Sequence, residues 1–137
     1  MKDIKLKRNM KYYFNKKTSG TFDDAVQRVT EGLSKEGFGV LTEIDVKATL
    51  KKKLGEDFYN YKILGACNPP YAHKALLEED KIGTMLPCNV IVQERKPGKI
   101  EVSAINPLAS MRSIKNKGIH DIAFEIASKL KKVVKEL

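Results

Sequence analysis

The chain holds two cysteines, and both sit in the same short setting. Cys67 lies in Leu64-Gly65-Ala66-Cys67-Asn68-Pro69, and Cys88 in Met85-Leu86-Pro87-Cys88-Asn89. Each cysteine is followed by asparagine, and each pair has a proline beside it. A pair of thiols could act as a redox couple or hold a soft metal such as copper(I) or zinc. The spacing supports neither chemistry strongly. There is no C-x-x-C, no histidine at ligand spacing, and two thiols alone leave zinc short of ligands. The structural alternative is that both thiols are small packed hydrophobes.

Four further residues belong to the candidate site. Asn68 precedes Pro69, where asparagine commonly caps a helix or shapes an Asx turn. Asn89 sits inside strand-like sequence with no cap to make, so its amide must find partners or present itself to a small ligand. Glu43 lies two positions from Asp45 on one side of an alternating segment. Paired carboxylates could bind a cation or serve as acid and base, although Asp45 is also placed to cap a helix. His73 follows Asn68-Pro69 closely enough to form a Cys-His pair with Cys67; the alternative is a surface imidazole. His120 and Asn106 read as an inert surface residue and a turn residue. The sequence contains no Walker loop, GxGxxG, HExxH or GxSxG.

These groups must be positioned by one domain, because 137 residues are one domain's worth. A chain of that size can bury a core without disulfides or metal. No run approaches the ~20 apolar residues of a membrane helix. The N-terminus has no signal-peptide pattern, and two cysteines suit a reducing compartment, so a cytoplasmic protein is expected. The net charge is +9, from 26 basic and 17 acidic residues. Such charge could attract nucleic acid. No nucleic-acid motif accompanies it, and the lysines at 51–53 and 129–135 fall on the polar sides of amphipathic helices. Nucleic acid and membrane are therefore not the expected partners.

The pattern predicts a loose basic arm over 1–9 and a single domain over 10–137. A first strand is expected over Lys11 to Lys16. Thr21 caps a helix whose apolar residues Phe22, Ala25, Val26, Val29 and Leu33 share one face, and Gly37 stops it. Phe38 to Val46 alternates as a strand with one well-buried face, formed by Phe38, Val40, Thr42, Ile44 and Val46. Asp45 then caps a short helix with Val46, Leu50 and Leu54 inward, ended by Gly55. Phe58 to Cys67 is the third strand, and Asn68-Pro69 starts a helix to about Glu79. A fourth strand is expected over Ile82 to Glu94, at an edge, bulged or interrupted because Pro87 cannot donate to a ladder. A turn at Pro97-Gly98 leads to a fifth strand over Ile100 to Ile105. Residues 108–117 read as irregular or as a frayed helical turn. The closing helix carries the stripe Ile119, Ile122, Ala123, Ile126, Ala127, Leu130, Val133, Val134 and Leu137. The order predicts an α+β fold: an antiparallel sheet of about five strands, two long helices on one face, and short inserted helices.

Three ordered motifs carry a family resemblance. Gly37-Phe38-Gly39-Val40-Leu41-Thr42-Glu43-Ile44-Asp45-Val46, Leu64-Gly65-Ala66-Cys67-Asn68-Pro69 and Leu86-Pro87-Cys88-Asn89-Val90 resemble domain-of-unknown-function family 302, over about residues 11–137. The resemblance implies a TBP-like fold, β-α-β4-α, and dimers in some members. The family's function is uncharacterised, so the resemblance carries over no catalytic residue and leaves any cofactor unknown; it marks Cys67, Asn68, Cys88 and Asn89 as motif positions. The resulting expectation is a binding or accessory domain. Its pocket is lined by Cys67, Asn68, Cys88 and Asn89, with Glu43 and His73 nearby, and takes a small molecule, a sulfur species or a soft metal. The alternatives are a cysteine-dependent enzyme or redox protein, and a structural, oligomerising or nucleic-acid-binding module.

Overall fold

A computed structural model describes residues 10–137, so the basic arm expected over 1–9 lies outside the described residues. Thr21 accepts a bond from the Asp24 amide at 3.1 Å and opens helix α1, Phe22–Lys35. The side-chain oxygen satisfies an amide that the first helical turn leaves without a partner. Gly37 ends the helix with φ 86°, a left-handed conformation that suits glycine, and the Phe38 amide folds back to the Leu33 carbonyl at 2.9 Å. Phe22, Ala25, Val29 and Leu33 are buried, the helical spacing predicted. The closing helix α5, Lys117–Lys135, is capped by Asn116 and buries Ile119, Ala123, Ile126, Ala127, Leu130, Val133 and Val134.

Five strands form one sheet: β1 (Tyr13–Thr18), β2 (Gly39–Asp45), β3 (Asn60–Cys67), β4 (Cys88–Lys96) and β5 (Lys99–Ile105). Their spatial order is β1-β5-β4-β3-β2, and every neighbouring pair is antiparallel. Leu64, Ala66, Cys88, Val90, Val92, Ile100, Val102 and Ala104 point to one face and join α1 and the C-terminal half of α5 in the main core. The short helices are α2 (Val46–Leu54), α3 (Pro69–Glu78), a 3₁₀ helix (Asp80–Met85) and α4 (Pro107–Ser110). Ala75, Ile82 and Met111 from these segments form a second cluster with Ile119 and Ala123 of α5. No helix among the described residues is long and apolar enough to cross a membrane.

The α+β architecture and its β-α-β4-α order are as the sequence predicts, and four details differ. The expected fourth strand loses its first residues to the 3₁₀ helix, and β4 begins only at Cys88. Pro87 therefore precedes the ladder and costs it no hydrogen bond, so β4 occupies the centre of the sheet rather than an edge. Second, β2 has no well-buried face, because it is the edge strand and only Val40 is half-buried. Third, its alternation is broken. Val40 pairs with Ala66 and Thr42 with Gly65, so Leu41 is a bulge. The extra residue turns Thr42 and Ile44 to the face without helices and leaves Glu43 and Asp45 on the helix side. Finally, Leu54 is exposed, since α2 packs at the sheet margin where no element covers its last turn.

Candidate functional site

Three asparagines fix the ends of the elements around the cysteines. Asn116 caps α5 with its side-chain oxygen and donates its amide to the Glu78 carbonyl at 3.1 Å. Asn106 accepts from the Leu108 amide and donates to the Lys11 carbonyl, both at 3.1 Å. Asn68 stands at the start of α3 but makes no side-chain capping bond. Its amide instead donates to the Glu36 carbonyl at 3.1 Å, tying the end of β3 to the end of α1. The cap expected at Asn68 is therefore not made by its side chain, which serves a neighbouring helix, and Asn106, expected as a turn residue, caps α4 instead. Pro69 already occupies the first turn and has no amide to satisfy.

Between the two hydrophobic clusters the packing leaves a half-open cavity of about 310 Å³. Phe38, Ala66, Cys88 and Ile126 line it from the main core; Ala75, Met111, Ile119 and Ala123 line it from the second cluster. Cys67 and Asn68 also border it at the end of β3, and the lining is almost wholly apolar. Leu41 and Leu76 stand at the rim, 67% and 47% exposed. The bulge supplies Leu41: with regular alternation this side chain would belong to the face opposite Val40.

The structure brings Cys67, Asn68 and Cys88 to this one cavity and does not bring Asn89, Glu43 or His73. Cys88 pairs with Ala66 across the sheet, and Cys67 is the next residue along β3. Side chains alternate along a strand, so Asn89 points to the opposite face from Cys88 and is exposed beside Gly65. Glu43 is bound to Lys62 at 2.8 Å on the margin of the sheet. Asp45 caps α2 through the Ala48 amide at 2.9 Å, so the two carboxylates do not form an acid–base pair. His73 is exposed and outside the lining, facing away while Tyr71, Ala72 and Ala75 of the same helix face in. A Cys67–His73 couple therefore gains no support from the geometry. The signal for the missed residues was weak: Tyr71, Ala72, Ala75, Leu76 and Met111 are ordinary helix-face residues until two helices meet.

Both cysteines are free. Burial pushes the Cys88 thiol up to about 11, and the nearby Cys67 adds to the rise. Cys88 is thus protonated at neutral pH, a poor nucleophile and a poor metal ligand. Cys67 is half-exposed and is the thiol that a reagent can reach. No group of three or more His, Cys, Asp or Glu side chains among the described residues is placed to hold a metal ion.

Among the described residues, no helix packs on the other face of the sheet. Its middle is Ile44, Ile63, Ile91 and Ser103, with Tyr13, Asn15, Tyr61, Asn89 and Gln93 around them. Ser103 Oγ donates to Asn15 Oδ1 at 2.6 Å, which neutralises two polar groups on this face. Lys17 and Arg95 neighbour Glu101 at one end, and Lys11 Nζ lies 6.0 Å from the Tyr13 ring centroid at the other.

Fold and cavity together define a small α+β domain with one bare sheet face and an apolar cavity at the sheet end. Residues 14–137 match the family described as domain of unknown function DUF302, and the chain belongs to that family. It is also similar to a crystal structure of an uncharacterized conserved DUF302 protein from Bacillus stearothermophilus, with 28% identity and a TM-score of 0.84 over 92% of this chain and 98% of that one. No curated protein matches the chain. All three motifs that carried the resemblance fall within the matched residues, and the TBP-like topology it implied is the one observed.

Proposed function

We propose that this protein is a binding or accessory domain whose cavity takes a small apolar molecule. The observation that supports the reading is the cavity of about 310 Å³ with its apolar lining and leucine rim. Its size is at the lower end of small-molecule sites, and burial of apolar surface there would stabilise a complex by about 25 cal/mol per Å². Cys67 meets the occupant at the wall, while Cys88 contributes as a packed thiol. Of the occupants open to a two-thiol site, a soft metal is less supported, since Cys88 would have to lose a proton held to about 11. Two free thiols favour a reducing, cytoplasmic setting.

Native mass spectrometry before and after maleimide labelling tests this. A small non-covalent adduct on the purified protein, lost when Cys67 is labelled, supports the reading. Empty protein that stays empty in the presence of apolar probes, with both thiols silent until denaturation, would sink it.

A second reading, self-association, is supported by the bare sheet face. On a chain of net charge +9, a face whose centre is uncharged is where two copies can meet with least repulsion. Light scattering on Ile91→Lys checks it: a dimer that becomes monomeric supports the reading, and a wild type already monomeric at high concentration rejects it.

A further inference from the structure

The cavity wall carries a second feature, independent of its apolar lining. Tyr71 lines the cavity, and two ammonium groups lie near its ring: Lys74 Nζ at 5.7 Å and Lys129 Nζ at 5.9 Å from the centroid. They come from different helices, α3 and α5. Neither is among the ion pairs of the described residues. Glu36, an acidic group close to this corner, is engaged by Lys132 at 3.5 Å. Glu125, one turn before Lys129, is not within ion-pair distance of it. Two cations without a carboxylate partner among the described residues therefore stand beside an apolar cavity.

The interior sets the other half of the requirement. Asn68 gives one amide N–H to Glu36, its side-chain oxygen is an acceptor with nothing to donate to an anion, and the thiols are weak hydrogen-bonding groups. A polar group carried into the cavity would lose its water and gain little in return. The occupant's polar end must therefore remain at the wall or mouth, where Leu41 and Leu76 continue the apolar surface to solvent.

We propose that the occupant is an anionic amphiphile, with an apolar chain or ring in the cavity and an acidic head on Lys74 and Lys129. This rests on the cavity being a binding site and adds the class of ligand. Charge-assisted bonds from two ammoniums would orient the molecule, and the apolar body would supply most of the affinity. No covalent step is involved.

The probes are decanoate and 1-decanol, which share a chain length and differ in charge. Their binding is read by calorimetry and by the protection of Cys67 against maleimide, with each variant's fold verified by circular dichroism. The expected result is that decanoate binds wild type at least about tenfold tighter than decanol. In the Lys74→Gln/Lys129→Gln double variant that preference falls to about one while decanol is unaffected. Ala72→Phe, which fills the cavity from a half-buried position, removes both. Equal binding of the two probes to wild type, unchanged in the double variant, overturns the anionic head and leaves the cavity reading standing. No binding of either probe to wild type overturns both. Co-sedimentation with anionic vesicles by protein that ignores free decanoate also overturns the proposal, in favour of a membrane surface.

Discussion

Asn68 donates its side-chain amide to the backbone carbonyl of Glu36, 32 positions earlier in the chain, at 3.1 Å. This bond fastens the junction of β3 and α3 to the last turn of α1. It holds Cys67 and Tyr71 in place against Phe38, and so shapes one side of the cavity. The same side chain abuts Gly37, where an added Cβ would stand 3.2 Å from Asn68 Nδ2.

The bond separates two roles for Asn68 by substitution. If its oxygen capped α3, Asn68→Asp would be neutral or stabilising. Because the amide nitrogen does the work, both Asn68→Asp and Asn68→Ala are expected to destabilise by about 1–2 kcal/mol. Urea denaturation checks this, and an aspartate variant as stable as wild type would refute it.

Gly65 is required by a close approach rather than by its backbone angles. A Cβ there would overlap Thr42 Oγ1 and come within 2.8 Å of Pro87 Cγ. Gly65→Ala is expected to destabilise by about 1–3 kcal/mol, as overpacking does. Adding Thr42→Ala should recover part of that loss, since Pro87 remains. Thermal melts of the single and double variants decide; a single variant with an unchanged midpoint shows that the sheet yields there.

The buried thiol gives the protein an alkaline dependence. Cys88 ionises at about 11 in the fold, against 9.0 for a free thiol. A raised pKa means stability that is fully present below the unfolded value and is lost as pH rises to the folded one. The expected loss is roughly 2–3 kcal/mol between pH about 9 and about 11. Lysines and tyrosines titrate in the same range, so the measurement is the difference between wild type and Cys88→Ala in urea midpoint against pH. Parallel curves would contradict the assignment. In the same window Cys67 should label freely and Cys88 only on unfolding.

Glu94 gives the β4–β5 hairpin an acid dependence. Its carboxylate accepts from the Asn60 amide and from the Gly98 backbone amide, each at 2.9 Å. The bond from Asn60 is the larger cause of a pKa held below the usual carboxylate range, and that from Gly98 the second. A lowered pKa contributes stability present above the ordinary carboxylate value and lost as pH falls through the folded one. The protection factor of the Gly98 amide, its exchange rate corrected for the intrinsic slowing in acid, should therefore fall on acidification in wild type. Glu94→Gln should lack that acid response; an identical response in both would rule the carboxylate out.

Much of the fold was written in local patterns. Thr21, the stripe from Phe22 to Leu33 and Gly37 specify α1 without reference to anything else, because caps and periodicity act within one helix. Asp45 and Gly55 bound α2 in the same way, with Gly55 at φ 67°. The hairpin turn at Pro97-Gly98 and the apolar stripe of α5 were equally legible. So was the placing of Cys67 at the end of one strand and Cys88 at the start of the next in the sheet.

What the tertiary structure alone decided concerns faces and gaps. One extra residue at Leu41 reverses which side Thr42, Ile44 and Glu43 take, and a bulge leaves no compositional mark. Pro87 suggested a strand at an edge, bulged or interrupted; the ladder begins one residue after it, so the interruption holds and β4 runs through the centre. Asn89 seemed to belong with Cys88, but strand geometry sends neighbours to opposite faces. The cavity itself exists because α3, α4 and α5 meet the sheet end without filling it. A void is set by how separate elements pack, and that information is distributed over side chains far apart in the sequence.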